Sequence, residues 1–427
     1  MELIVDLHIH SHYSRATSPE MNITALYRWG KMKGINIIGT GDFTHPKWFL
    51  ELSEKLEPAE KGLYRLKDKY AKVEDAKLSS NFKKKLIRFI LTVEISNIYS
   101  KGEKVRRVHN LIIVDSFEAA SSINEKLTRI GNLHSDGRPI LGLDSKELLK
   151  ITIEGEKNLF VPAHIWTPWF SIFGSKSGFD SIEEAFEELS NHIYAIESGL
   201  SSDPFMNWRL KQLDGRTIIS NSDAHSPGKL GREANLLNCE LNYESIISAI
   251  KKGDERFLGT IEFFPEEGKY HFDGHAKCDV SLTPTESKKL KDICPKCGRS
   301  LVVGVMHRVE DLADRVESYK PKNHKSVEYI VPLQEIVAET FEMRPQSKKV
   351  KDEYQKLLFE FDDEFSFLRK ITSSDIKATG RADLSFAIEK MRKGDIYIKP
   401  GYDGIYGVVK IFKPGERTQN SGQLSFI

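Results

Sequence analysis

Seven short apolar runs, separated by amphipathic stretches and each adjoined by a histidine or a carboxylate, constrain this chain more than any other feature. The runs are Leu3–Leu7, Ile35–Ile38, Leu86–Val93, Leu111–Val114, Leu159–Val161, Ile193–Ile196 and Thr217–Ile219. Among them lie ITALYRWGKMKG, FEAASSINEKLTRIG, SIEEAFEELSNH and YESIISAIKKG, with apolar residues at helical spacing and glycine at several ends. Short β-prone runs alternating with such stretches predict a parallel α/β architecture. Seven of them suit a β/α barrel of the TIM type, in which the C-terminal strand ends converge on one face.

The residues at those ends carry chemistry. The first run leads into Asp6-Leu7-His8-Ile9-His10, and the second into Gly41-Asp42-Phe43-Thr44-His45. The third gives Glu94, the fifth His164, the sixth Glu197 and the seventh Asp223-Ala224-His225. His109 precedes the fourth run, so that strand starts earlier than its apolar part. Residues two apart on a strand face the same side, which lets His8 and His10 bind one ion together. A single such residue is most simply a hydrogen-bonded cap; the whole set points to metal. Imidazoles and carboxylates suit divalent transition ions, and a carboxylate can bridge two of them. A multinuclear site of that kind is equipped for in-line hydrolysis of a phosphate ester.

A second metal signal follows residue 264, where the texture changes. His275-x2-Cys278, 15 intervening residues and then Cys294-Pro-Lys-Cys297-Gly have the spacing of two zinc knuckles. A closed Cys3His set predicts one structural zinc, with His271 as an alternative to His275. Cys239 lies in an apolar stretch and reads as core. Downstream, EYIVPLQEIVAETF, DEYQKLLFEFDDEFSFLRK and RADLSFAIEKMRKG read as helices, and IYIKPGYDGIYGVVKIF as a β-hairpin around Tyr402–Gly404.

The motifs DLHIHSHYSRA, GTGDFTHP, the Glu94 strand, His109, PAHIW and SDAHSPGKLGREA resemble those of the polymerase and histidinol phosphatase (PHP) superfamily. The resemblance covers residues 1–262 and implies a distorted seven-stranded barrel that uses about three metal ions. It implies the ligands His8, His10, Asp42, Glu94, His109, His164, Asp223 and His225. The usual second motif reads Thr-Asp-His, whereas Phe43 follows Asp42 here, so either His45 substitutes as the ligand or that ligand is absent. The order of parts, a PHP barrel, then GHAKC…CPKCG, then a helical tail, is similar to the endonuclease Q family of PHP-superfamily DNA repair endonucleases. The expected domains are a metal-dependent phosphoesterase barrel over 1–262, a zinc-binding module over 263–327, a mainly helical C-terminal domain over 328–413 and a tail over 414–427.

That second resemblance implies nicking of DNA on the 5′ side of uracil, hypoxanthine, xanthine or an abasic site, leaving 3′-OH and 5′-phosphate ends. Two or three divalent ions (zinc, manganese or magnesium) would activate hydroxide at His8, His10, Glu94 and Asp223, and the damaged base would be flipped out for recognition. The alternatives are a small-molecule phosphatase of the histidinol-phosphatase kind and a DNA-binding protein without catalysis. With 63 Lys+Arg against 62 Asp+Glu the chain has a formal charge of +1, but net charge does not locate charges. Residues 61–88 carry ten Lys/Arg against Asp68, Glu74 and Asp75, a solvated helix face or a phosphate track. Arg15, Lys229 and Arg232 flank the metal motifs as phosphate clamps, and Trp166, Trp169 and Phe170 offer stacking surfaces. The ending Gln423-Leu424-Ser425-Phe426-Ile427 vaguely resembles a tail that binds a sliding clamp. No run approaches the ~18 apolar residues of a membrane span, so a cytoplasmic protein is expected.

Overall fold

The structure, a computed structural model, describes residues 1–416. The chain divides into two compact units, Met1–Glu262 with Val305–Glu328, and Phe263–Gly304 with the chain from Tyr329. Residues 305–327, read from the sequence as the end of the cysteine segment, thus fall in the first unit.

In the first unit all seven apolar runs are strands: β1 Glu2–Asp6, β2 Ile37–Gly39, β3 Arg88–Lys101, β4 Lys104–Val114, β5 Leu159–Pro162, β6 Ala195–Glu197 and β7 Thr217–Ile219. Among the other strands of the sheet are β8 Ala234–Asn238 and β9 Phe257–Glu262. The pairing order is β9-β8-β1-β2-β3-β4-β5, and β6 and β7 form a separate parallel pair. The principal helices here are α1 Ile23–Lys33, α2 Pro46–Lys55, α3 Asp68–Asp75, α4 Phe117–Thr128, α5 Ser145–Ile153 and α6 Tyr243–Lys252.

The parallel expectation holds for β1-β2-β3 and for β6-β7. It fails at β3-β4, an antiparallel hairpin paired from Leu91↔Val114 to Lys101↔Lys104. Its two-residue loop, Gly102-Glu103, has φ of 58° and 61°, the left-handed pair that matches the twist of a tight hairpin. No crossover helix is needed, so β4 runs back and His109 comes before its apolar half. β8 is likewise antiparallel to β1.

Among the described residues the ladders do not close into a seven-stranded barrel. Between β1 and β7 side chains stand in for much of a backbone ladder. The Leu7 amide donates to Asn221 Oδ1 at 2.8 Å, and the Ser222 amide to Asp6 Oδ1 at 3.1 Å. Asn235 Nδ2 donates to the Ser220 carbonyl at 2.7 Å and the Val5 carbonyl at 3.2 Å. Burial pushes the Asp6 carboxyl up to about 6, against the opposing pull of its hydrogen bonds to Ser222 and Gly231.

Local sequence explains the helices that frame this sheet. Asn22 caps α1 by accepting from the Ala25 amide at 3.0 Å, and Gly34 ends it in the left-handed region at φ 83°. α6 repeats the device with Asn242 at its start and Gly253 at its end. Its apolar face, Tyr243, Ile246, Ile247 and Ile250, is buried in one cluster with Leu3, Val5, Leu7, Ile37, Ile90, Leu111, Val161 and Ile219. That core fixes the strand ends in which the polar residues sit.

In the second unit, the hairpin Asp273–His275 with Val280–Leu282 supports the cysteine segment. Among the described residues after Tyr329 lie five helices: α7 Leu333–Thr340, α8 Lys348–Phe361, α9 Glu364–Arg369, α10 Ser373–Ala378 and α11 Ala382–Lys393. The single helical stretch read over DEYQKLLFEFDDEFSFLRK is two helices. Asp362 turns left-handed at φ 86°, and Asp363 caps α9 by accepting from the Ser366 amide at 2.8 Å. The expected hairpin is present, with Tyr397–Lys399 paired to Val408–Lys410. No helix among the described residues is long and apolar enough to cross a membrane. The proposed clamp-binding tail lies outside the described residues.

Candidate active site

Two groups of ligand-type side chains meet at the strand ends. In the first, ligand atoms of His8, His10 and Asp223 lie within 4.8 Å of one another. Asp223 Oδ1 is 3.0 Å from His10 Nε2 and 3.8 Å from His8 Nε2. All three atoms are buried and none has a hydrogen-bond partner. In the second group, Glu94, His109 and His164, Glu94 Oε1 is 2.7 Å from His109 Nδ1 and 2.9 Å from His164 Nε2.

Glu94 joins the two groups. Its other oxygen, Oε2, lies 3.2 Å from His10 Nε2 and 3.6 Å from His8 Nε2. One carboxylate thus presents an oxygen to each group, the disposition of a bridging ligand. Three buried carboxylates, Glu94, Asp42 and Glu197, and the half-buried Asp223 surround these imidazoles. Buried anions persist when paired or bound to metal, so the orphaned nitrogens and this excess of carboxylate fit divalent cations.

The backbone is bent to deliver these groups. Asp42, His164 and Asp223 have φ of 51°, 29° and 45°, a region non-glycine residues rarely adopt. Gly137 allows the loop before Arg138 to close over Asp42, since a β-carbon there would lie 2.2 Å from Asp42 Oδ2.

Outer contacts orient the imidazoles, as in metal sites generally. Both oxygens of Glu197 lie 3.0 Å from His8 Nδ1, and Asn221 Nδ2 donates to Glu197 at 2.8 Å. His109 Nε2 is 3.1 Å from Ser96 Oγ, and His164 Nδ1 is 3.2 Å from Thr167 Oγ1. Glu197 closes the sixth run but was not assigned as a ligand from the sequence, and its place here is to hold His8. Replacing it by Gln is expected to weaken metal affinity about 10–100-fold without unfolding the chain, measured by metal titration. An unchanged affinity would show that Glu197 does not orient His8.

Charge is tightly coupled here. Burial opposes ionisation of Glu94, but His109, Arg138 and His8 hold its carboxyl well below the usual carboxylate range. Asp223 is likewise lowered despite burial, chiefly by its contacts with His10 and His8. Burial pushes His109 down to about 4, which favours the neutral, ligating imidazole.

Other expected residues stand differently. Asp42 touches neither group's ligand atoms; it lies 3.2 Å from His10 Nδ1 and accepts from Ser11 N at 2.7 Å, Ser11 Oγ at 2.6 Å and Ser14 Oγ at 2.8 Å. It orients His10, and those donors hold its charge. His45, offered as a substitute ligand, is in neither group; it occupies the N-cap position of α2 without a side-chain cap hydrogen bond, and its ring stacks on Tyr13 at 4.4 Å. His225 stands beside the first group, its ring 4.6 Å from that of His10.

Arg138 is the residue the sequence reading missed. Its Nη1 donates to Glu94 Oε2 at 2.9 Å from a loop without an apolar run, so no strand pattern could have singled it out. Of the expected phosphate clamps, Arg15 is 79% exposed and 3.3 Å from Asp136, and Lys229 is half-buried on the loop after His225. Arg232 points inward instead, donating to the carbonyls of Ser222 at 2.7 Å and Asp223 at 3.2 Å. It braces the Asp223 loop because those carbonyls need donors.

Of the aromatics, Trp169 is 40% exposed and the Phe170 ring lies 4.8 Å from that of His109. Trp166 is 1% exposed, and its indole donates to Asn207 Oδ1 at 2.8 Å. It is a core residue, not a stacking surface, so Trp166→Ala is expected to cost about 3–5 kcal/mol of stability. Denaturant unfolding measures this, and a cost below about 1 kcal/mol would contradict the core assignment. Part of the basic run of residues 61–88 is ion-paired: Arg65 with Glu57 and Asp68, Lys77 with Glu74, Arg88 with Glu60 and Lys61 with Glu244.

In the second unit, His275, Cys278, Cys294 and Cys297 bring their ligand atoms within 4.8 Å of one another. Gly298, at φ 72°, closes the turn, its amide donating to the Cys294 carbonyl at 2.9 Å. His271 is buried outside this set. Four N/S ligands fit a structural zinc.

The chain is similar to known proteins along most of its length. The family model of the MJ0043 C-terminal domain matches residues 332–395. The chain is 31% identical to the lesion-specific endonuclease PfuEndoQ from Pyrococcus furiosus, with a TM-score of 0.83 and 99% of each chain covered. It is 32% identical to Endonuclease Q solved with a 27-mer duplex substrate bearing an abasic lesion at the active site, with a TM-score of 0.81, covering 97% of this chain and 98% of that one. The uncharacterized protein MJ0043 of Methanocaldococcus jannaschii is 33% identical over 262 residues, 58% of this chain, and the chain spans 31% of that protein's length.

Proposed function

The chain belongs to the endonuclease Q family, and on that premise we propose that it is a metal-dependent DNA endonuclease that nicks at damaged bases. The cut falls on the 5′ side of uracil, hypoxanthine, xanthine or an abasic site. Water adds to phosphorus, the bond from phosphorus to O3′ breaks, and a proton goes to O3′, giving 3′-OH and 5′-phosphate ends. The observation that carries this reading is Glu94, with one oxygen toward His8 and His10 and the other toward His109 and His164.

Two or three divalent ions would be held by His8, His10 and Asp223 and by Glu94, His109 and His164, with Asp42 and His225 at their border. Such ions, when bound, lower the pKa of water and neutralise phosphoryl charge. The chain's own residues do the positioning. Glu197 and Asp42 fix the rings of His8 and His10, and Ser96 and Thr167 fix His109 and His164. Arg138, 29% exposed beside Glu94, carries a cation toward the phosphate position. The proposed division of labour gives this chemistry to residues 1–262, a folding role to the zinc segment and DNA contacts to the surrounding surfaces, Arg15 and Lys229 included.

The test is to incubate the protein with Mg, Mn or Zn and duplexes carrying one uracil, one hypoxanthine or one abasic site. A single nick 5′ of the lesion, with a 3′ end that a polymerase extends, is the expected result. Release of phosphate from a small ester without nicking would replace this reading with the phosphatase one, and DNA binding without turnover would replace it with a non-catalytic one.

A further inference from the structure

Beside the second metal group lies a cavity of about 540 Å³ between the tip of the β3-β4 hairpin and the segment 169–180. Its frame is built. Arg106, 4% exposed, donates to Glu184 at 2.8 Å and to the Gly178 carbonyl, and stacks over Phe179 at 4.0 Å. Arg308 donates to the carbonyls of Phe173 at 3.1 Å and Phe179 at 3.0 Å and to Asp180 at 2.6 Å. Both arginines are consumed in holding this segment in place.

The segment is also registered on β4. The His109 amide donates to the Phe170 carbonyl at 3.1 Å, and Ser177 Oγ to the Arg107 carbonyl at 3.3 Å. Three cations of the lining are not consumed: Lys104, Arg107 and Lys176 are exposed and have no ion-pair partner among the described residues. Arg107 is two residues from His109 on β4, hence on the same face and about 7 Å along the strand. The rings connect them: Phe170 lies 4.8 Å from the His109 ring and 6.0 Å from the Arg107 guanidinium. The exposed Trp169 lines the same cavity. A rigid frame with uncommitted cations one step from the proposed cutting site suits a phosphodiester backbone.

We propose that this pocket is a strand clamp. Arg107, Lys176 and Lys104 hold backbone phosphates of the cut strand next to the scissile one, and Trp169 covers the adjoining sugar or base. The assignment rests on the nuclease reading above and adds residues that the metal motifs do not contain.

The test compares the full chain with an Arg107→Ala/Lys176→Ala variant on abasic-site duplex across salt concentrations. Loss of two phosphate contacts, at ~0.9 counterions released per contact, predicts about 30-fold weaker binding at 0.15 M salt and a log–log slope shallower by about 2. The cost in nicking should fall on KM rather than kcat. A Lys69→Ala/Lys72→Ala variant on α3 controls for charge. Equal loss in that control makes the effect one of net charge and overturns the clamp. A wild-type protein that nicks, with unchanged affinity and slope in the pocket variant, overturns the clamp alone. A wild-type protein that neither binds nor nicks lesion DNA overturns the nuclease reading with it.

Discussion

Glu94→Gln is expected to lower the single-turnover nicking rate by about three orders of magnitude while leaving duplex binding nearly intact. The change is isosteric, so the strand packing around residue 94 survives. It removes the one charge placed within 3.6 Å of all four of His8, His10, His109 and His164. It also leaves Arg138 as a cation without the buried carboxylate to which it donates at 2.9 Å. An amide cannot offer lone pairs to both groups, since one of its two heads is a donor. Metal content measured on the same preparations should fall together with the rate. A variant that nicks within tenfold of wild type would show that Glu94 does not join the two groups. Asp223→Asn and His8→Ala should be similarly inactive, because one removes the carboxylate charge and the other an orphaned nitrogen of the first group.

The second large effect belongs to Cys294→Ser. Apparent zinc-binding energies in small modules are about 10–16 kcal/mol, and that energy is folding energy. The apolar cluster around these ligands consists of Val280, Cys294 and Leu301, with Cys278 and Leu282 packed against it. So few buried side chains cannot hold the segment without its ion. The expected result is loss of one zinc equivalent per chain and rapid proteolysis between the hairpin at Asp273 and Leu301. Cys239→Ser, at a buried thiol outside the cluster, should retain that zinc. Full zinc content and unchanged proteolysis in Cys294→Ser would remove the structural assignment.

The positions of the seven strands were readable because each apolar run is local. The glycines at 34 and 253 were readable for the same reason. The direction of β4 is also encoded nearby, in the tight turn Lys101-Gly102-Glu103-Lys104, and that reversal is why His109 precedes its apolar run. The division of carboxylates was not readable. Asp42 and Glu197 have the same chemistry as Asp223 and Glu94, and sequence position does not tell which will reach a metal and which will hold an imidazole. Trp166 and Trp169, three residues apart in one aromatic segment, have opposite fates for the same reason: one meets Asn207 in the core and the other meets solvent.

By itself, the sequence determined the ligand types, their placement at strand ends and the zinc spacing. Donor chemistry and strand period are properties of neighbouring residues, and they survive being read in a line. Only the tertiary structure decided that Glu94 stands between two groups, that Arg138 reaches it from an unpatterned loop and that uncommitted cations line a cavity beside His109. Those facts depend on distances between segments far apart in sequence. Such distances are set by which strands pair, in which direction, and by the side-chain amides of Asn221 and Asn235 that bind β1 to β7.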